Sequence, residues 1–157
     1  MVRLTVVAPP AVALATTAAL WGRLINHAAA RPLSAFTDEY LSPRHRDDPG
    51  KGCAVAALGA DVARQGERVR SAFTAGLEPF LQLLSNAVPG RSKAVRRRKA
   101  IATMAELIGT LILARAVDDP ALSDEILAAT SLNLSGVSDG SRADEKLGHP
   151  DISRRFG

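Results

Sequence analysis

Apolar residues recur every three or four positions along several stretches of the chain, and each such stretch predicts a helix. The clearest is 67–88, where Val69, Phe73, Gly76, Leu77, Phe80, Leu84 and Val88 share one face. Pro79 lies inside it and predicts a kink, because its ring crowds the preceding turn and it has no N–H to donate. A shorter amphipathic helix is expected over 32–42, with Leu33, Phe36, Tyr40 and Leu41 near one face and Pro43 as its stop. The segment 43–52 holds two prolines, two glycines and clustered charges, and reads as a loop with nothing to bury. Small residues fill 53–66, where Val55, Leu58 and Val62 set the helical rhythm. There Gly59 and the alanines suit close backbone approach, and Gly66 suits a C-cap.

The helix predicted over 92–117 differs from the others. From Ala100 onward its polar side narrows to Thr103, Glu106 and Thr110. Ile101, Met104, Ala105, Leu107, Ile108, Leu111, Ile112 and Ala114 cover roughly 200° of the circumference. A surface helix uses about half of that arc for its core, so the excess implies a second packing partner. A tight corner follows. Asp119 suits an N-cap and Pro120 the first helical position, with Leu122 and Ile126 beginning the apolar stripe of a last helix that fades near 130–134. Three regions result: an alanine-rich leader without clear period over 1–31, a helical domain over 32–134, and a polar tail over 135–157 expected to be disordered.

Composition supports an all-α helical bundle of one domain. The chain has 157 residues, 46% of them hydrophobic and only 4% aromatic, which favours helices packed through small contacts over a β-sandwich. A single cysteine, Cys53, excludes an internal disulfide and fits a reducing cytoplasm. The apolar run of the leader is interrupted by Pro9 and Pro10 and is too short to span a bilayer, so neither a signal peptide nor a membrane partner is expected.

Candidate chemistry is sparse. His27, His45 and His149 fall in the leader, the loop and the tail, without metal-ligand spacing, so neither a metal nor a cofactor is expected. "GKGC" lacks the spacing of a phosphate-binding loop, and the Asp pairs at 47–48 and 118–119 suit loop and cap positions better than acid–base catalysis; an enzyme is not expected. Cys53 at a helix start is compatible with an activated thiol, though a small buried hydrophobe is the plainer reading. The net charge of +4 and the run "RSKAVRRRK" (91–99) raise an alternative, a basic helical protein binding nucleic acid through Arg91–Lys99. Against it, consecutive residues of a helix point in all directions and no aromatic residues interleave for base stacking. Phe73, Leu77, Phe80 and Met104 could line a ligand pocket between helices or simply form core.

Three segments, "YLSPRHRDDPGKGCAVAALGADVAR", "FTAGLEPFLQLL" and "LIGTLILARAVDDPALSDEILAA", together resemble the C-terminal regulatory domain of TetR-type transcriptional regulators over about Pro32 to Thr130. The resemblance implies an all-helical effector-binding domain that takes a small, hydrophobic molecule inside the bundle, with Cys53, Phe73, Leu77, Phe80 and Met104 as its candidate contacts. It also implies dimerisation through the last two helices, as a homodimer or with a related regulator, with Ile108, Leu111, Ile112, Arg115, Leu122 and Ile126 at the interface. The 1–31 leader does not resemble the family's helix-turn-helix head. The resemblance therefore implies a truncated regulator that contacts DNA only if a head domain is supplied.

Overall fold

The computed structural model describes residues 19, 21–23, 25, 32–48, 50 and 52–138. All regular structure among them is helical, as the all-α expectation requires, and no helix among them is long and apolar enough to cross a membrane. The helices are α1 (Pro32–Tyr40), α2 (Pro43–Asp47), α3 (Ala54–Val62), α4 (Glu67–Ala87), α5 (Lys93–Ala116) and α6 (Pro120–Ser138). α5 is the central element and packs against α2, α3, α4 and α6, while α1 bridges α4 and α6.

Local chemistry sets most helix ends. The Ser42 hydroxyl accepts from the His45 N–H at 3.2 Å and donates to the Glu39 carbonyl at 2.7 Å. With Pro43 at the first position, this starts a second helix after only two intervening residues, Leu41 and Ser42. Ser92 caps α5 through the Val95 N–H at 3.2 Å. Just before it, a Cβ on Gly90 would stand 3.2 Å from the Arg96 backbone nitrogen and 2.7 Å from its Cγ, so only glycine lets this turn close on the helix it precedes. At the corner, Asp119 Oδ1 accepts from the N–H groups of Ala121 at 2.9 Å and Leu122 at 3.4 Å, the cap that the Asp–Pro pair predicts.

α5 and α6 run antiparallel. Ser123 donates to the Ala114 carbonyl at 2.6 Å, the Thr110 and Thr130 hydroxyls pair at 2.7 Å, and Asn133 donates to the Glu106 carboxylate. The narrow polar line of α5 is thus a seam against α6. Thr103 and Thr110 are only 3% and 6% exposed. Thr110, placed inside, satisfies its hydroxyl without water, since it also donates to the Glu106 carbonyl at 2.7 Å. The rest of the inner side of α5, Ala100, Met104, Leu107, Leu111 and Ala114, fills the core with Phe36, Phe80 and Leu84.

Several expectations need correction. The 43–52 segment is not a plain loop: it contains α2, and His45 is buried. Gly66 is the N-cap position of α4, and α3 ends earlier, at Val62, with Ala63 as its C-cap. Gly59 makes no close approach, for a Cβ there would meet nothing within 4 Å. As the sequence reads it, Pro79 lies inside α4, with its ring on the exposed side, where the Ala75 carbonyl can turn to water. α6 persists to Ser138, beyond the expected fade. The leader is not wholly apart from the bundle either, since Trp21 and Ile25 are helical and buried in its core. The remainder of 1–31 and the tail beyond 138 lie outside the described residues.

Because the space beside Gly59 is open, Gly59→Ala should raise unfolding free energy by about 0.5–1 kcal/mol in urea titration. Leu111→Ala, which empties a fully buried position, should lower it by about 2–5 kcal/mol. A neutral or destabilising Gly59→Ala would mean that a neighbour occupies that space.

Candidate functional site

Two features stand apart from ordinary core packing. The first is the outer side of the α5–α6 hairpin. Ile101, Ile112 and Leu113 of α5 and Leu122 and Leu132 of α6 are all exposed, Leu113 to 57% and Leu132 to 77%. Ile101, Ala105, Ile108 and Ile112 repeat at spacings of four, three and four, which places them on one line of the helix. That line lies beside the buried line Ala100, Met104, Leu107, Leu111 and Ala114, with Ile108 at the border packed against the core. α5 therefore carries two apolar faces, one consumed by its own core and one left outside.

The second feature is a buried knot of rings where α1 and α2 meet Trp21. The Trp21 ring lies 5.4 Å from Tyr40 and 5.2 Å from His45, and Tyr40 and His45 stand 4.8 Å apart. Phe36 joins the knot edge-on to Trp21 at 5.2 Å and leads to Phe80 at 5.8 Å. Tyr40 is fully buried as the fourth position of the α1 stripe, and His45 is turned inward by α2. His45 Nδ1 lies 2.7 Å from the Tyr40 carbonyl. Three side-chain atoms here, Trp21 Nε1, Tyr40 Oη and His45 Nε2, are buried without a hydrogen-bond partner.

Electrostatics keep this knot neutral. Burial pushes the His45 imidazole below its ordinary value; the Tyr40 carbonyl opposes this shift, the Arg115 guanidinium adds to it, and the Glu39 and Asp48 carboxylates oppose it. Burial, together with the neighbouring Cys53 thiol, pushes the Tyr40 phenol well above its usual range, against a smaller opposing effect of Arg115. Arg115 itself donates to the carbonyls of His45 at 2.7 Å and Arg46 at 2.9 Å. Arg46 in turn reaches α6, bonding Ser123 at 2.9 Å and Asp124 at 2.6 Å.

The residues singled out from sequence divide accordingly. Cys53, Phe80 and Met104 are buried in the core, and Phe73 and Leu77 pack against it partly exposed. Cys53 sits beside the Tyr40 hydroxyl, closed off from solvent at 1% exposure. An open cleft of about 420 Å³ between α4 and α5 is lined instead by Glu78, Gln82, Ser85, Lys93 and Arg97 among others. Of the six interface candidates, Ile112 and Leu122 lie exposed on the outer face, and Ile108 and Ile126 are partly buried. Leu111 and Arg115 do not belong to that face: Leu111 is on the inner line at 0% exposure, and Arg115 is consumed by the carbonyls of α2. The basic run is partly spent as well, with Arg97 paired to Glu78 at 2.6 Å and Arg96 bonded to the Gly90 carbonyl. No group of three or more possible metal ligands occurs among the described residues.

Sequence reasoning missed Trp21, Tyr40 and His45 as a group. Tyr40 and His45 are close in sequence, but nothing in the local pattern says that α2 turns the histidine inward, and Trp21 comes from a segment without a clear period.

The lowered His45 pKa carries a pH dependence. Because folding favours the neutral ring, His45 contributes its full stability above about pH 6.5, and the contribution is lost as pH falls below that value toward the lower folded-state pKa. Wild-type urea midpoints should therefore drop more steeply between pH 7.5 and 5.5 than those of His45→Asn, which keeps a donor to the Tyr40 carbonyl but does not titrate. Parallel slopes would remove His45 as the titrating group. No protein-family model, curated protein or solved structure matches the chain.

Proposed function

We propose that this chain is an effector-binding and dimerisation domain of a TetR-like transcriptional regulator. The observation that carries the reading is the set of large apolar side chains left exposed on the hairpin, Ile101, Ile112 and Leu113 on α5 and Leu122 and Leu132 on α6. Large apolar side chains left exposed on a helical hairpin mark an interaction surface, and the simplest occupant is the same surface of another copy across a two-fold axis. Two antiparallel hairpins joined this way make a four-helix bundle. Two further supports are the all-helical architecture and the resemblance of Pro32–Thr130 to the regulatory domains of that family.

On this reading the inner side of the bundle serves the effector and the outer side of α5–α6 serves the partner. The α2 helix lies between the two, touching the aromatic knot through His45 and the hairpin through Arg46 and Arg115. An effector that moved α2 would act directly on the paired helices. The alternative of nucleic-acid binding through Arg91–Lys99 draws less support, because Arg96 and Arg97 already have partners within the fold.

Sedimentation velocity at micromolar concentration tests the pairing. The wild type should sediment as a dimer, and Ile112→Glu combined with Leu113→Glu should sediment as a helical monomer, since both side chains are exposed within one copy. A wild-type monomer at that concentration would sink the reading.

A further inference from the structure

We infer that the cleft between α4 and α5 binds a small organic phosphate, a phosphomonoester whose remainder carries hydroxyl groups. None of the residues lining it belongs to the outer apolar face or to the effector candidates of the interior, so it is a second site beyond the reading above. Charge at the start of α5 is placed where helix stability disfavours it. The positive end of the helix dipole lies there, and it is stabilised by carboxylates and not by cations. Yet the first turn of α5 holds no acidic residue, and its opening "KAVRRRK" (93–99) contains five cations. Lys93, Arg96 and Arg97 stand at spacings of three and four, so they share one side of the helix, where like charges repel. A bound anion offsets both costs.

That side of α5 is one wall of a cleft of about 420 Å³. Glu78, Gln82, Ser85 and Asn86 of α4 form the opposite wall. Every lining side chain except that of Ala94 is polar, which suits a polar solute and not a hydrophobic one. Two of the cations are held in position. Arg97 donates to the Glu78 carboxylate at 2.6 Å, and Arg96 donates to the Gly90 carbonyl at 3.0 Å. Each bond is made by one terminal nitrogen, so most of the N–H groups of each guanidinium remain for a ligand. Lys93 adds a third positive charge on a flexible stem.

Charge and shape together set the ligand class. Three cations and one carboxylate line the cleft, a surplus that a phosphomonoester dianion neutralises and a single carboxylate does not. A guanidinium fork matches two oxygens of a phosphate, and an ammonium binds a third as a point charge. The phosphate group fills only part of the space. Gln82 donates to Asn86 Oδ1 at 3.2 Å, which leaves the Gln82 oxygen as an acceptor and the Asn86 nitrogen as a donor for ligand hydroxyls. A nucleic-acid strand fits less well, because Arg98 and Lys99 of the same run do not line the cleft and the Glu78 carboxylate in its wall repels an extended polyanion.

The test is titration of the full chain with glycerol 3-phosphate at constant ionic strength, with glycerol and inorganic phosphate as comparison probes, read by backbone amide NMR signals. Wild type should show saturable shifts over residues 82–86 and 93–97 with glycerol 3-phosphate and none with glycerol. Inorganic phosphate should bind at least threefold more weakly. Lys93→Gln and Arg97→Gln should each weaken glycerol 3-phosphate at least threefold, while Arg98→Gln, in the same run but outside the cleft, should leave it unchanged. Glu78→Gln should tighten it at least twofold, because its carboxylate competes with phosphate for Arg97, and a gain of affinity does not come from a damaged fold. Equal losses in Arg98→Gln and Lys93→Gln would mean diffuse attraction and overturn the inference. Tighter binding of a short DNA duplex, equally sensitive to Arg98→Gln, would return the run to nucleic acid and overturn it too. Equal affinity for inorganic phosphate would overturn the organic-phosphate assignment, and absence of saturable shifts at tens of millimolar would overturn the site itself. None of these results bears on the dimer, which sedimentation measures separately.

Discussion

One guanidinium holds together the parts of this fold that do not follow from helix packing alone. α2 has only five residues, too few to be stable in isolation and too few to satisfy its own last carbonyls. Arg115, in the last turn of α5, donates to two of those carbonyls, His45 and Arg46, from one planar fork. The positive charge also suits the C-terminal end of its own helix. With α2 pinned there, the His45 ring turns onto Tyr40 and Trp21, and Arg46 comes within reach of Ser123 and Asp124 on α6. The aromatic knot and the α5–α6 hairpin are thereby parts of one connected network.

The division of α5 into two apolar faces is the second constraint. An apolar arc this wide usually belongs to a helix buried on all sides. Here the polar line beside the inner face is turned against α6, where Thr110 meets Thr130 and Glu106 meets Asn133. Placing threonine in the seam frees the outer line, Ile101 through Ile112, to face outward as an uninterrupted apolar stripe.

The sequence made the helices legible wherever the signal was local. The stripe of α4, the Asp119–Pro120 cap and the excess apolar arc of α5 all depend on residues within a few turns of one another. Features that depend on distant residues were hidden. Arg115 read as an interface residue because nothing nearby reveals that its partners are backbone carbonyls 69 and 70 positions away. Leu111 read as interface because the angular count measures the width of an arc and not which part of it turns inward. His45 read as a loop residue because prolines and charges around it mask a single buried side chain. The recurring cause is that a helical face is visible in sequence, whereas its neighbour is not.

The central claim is that the outer face of α5 is covered by a second copy of the chain. Thiol labelling of Ile112→Cys in a Cys53→Ser background tests this most directly, with Thr74→Cys on the exposed side of α4 as the reference. The account predicts that the Ile112→Cys thiol reacts more slowly as protein concentration rises from nanomolar to high micromolar, while the Thr74→Cys thiol keeps a constant rate. An Ile112→Cys rate that stays constant over the same range would contradict it.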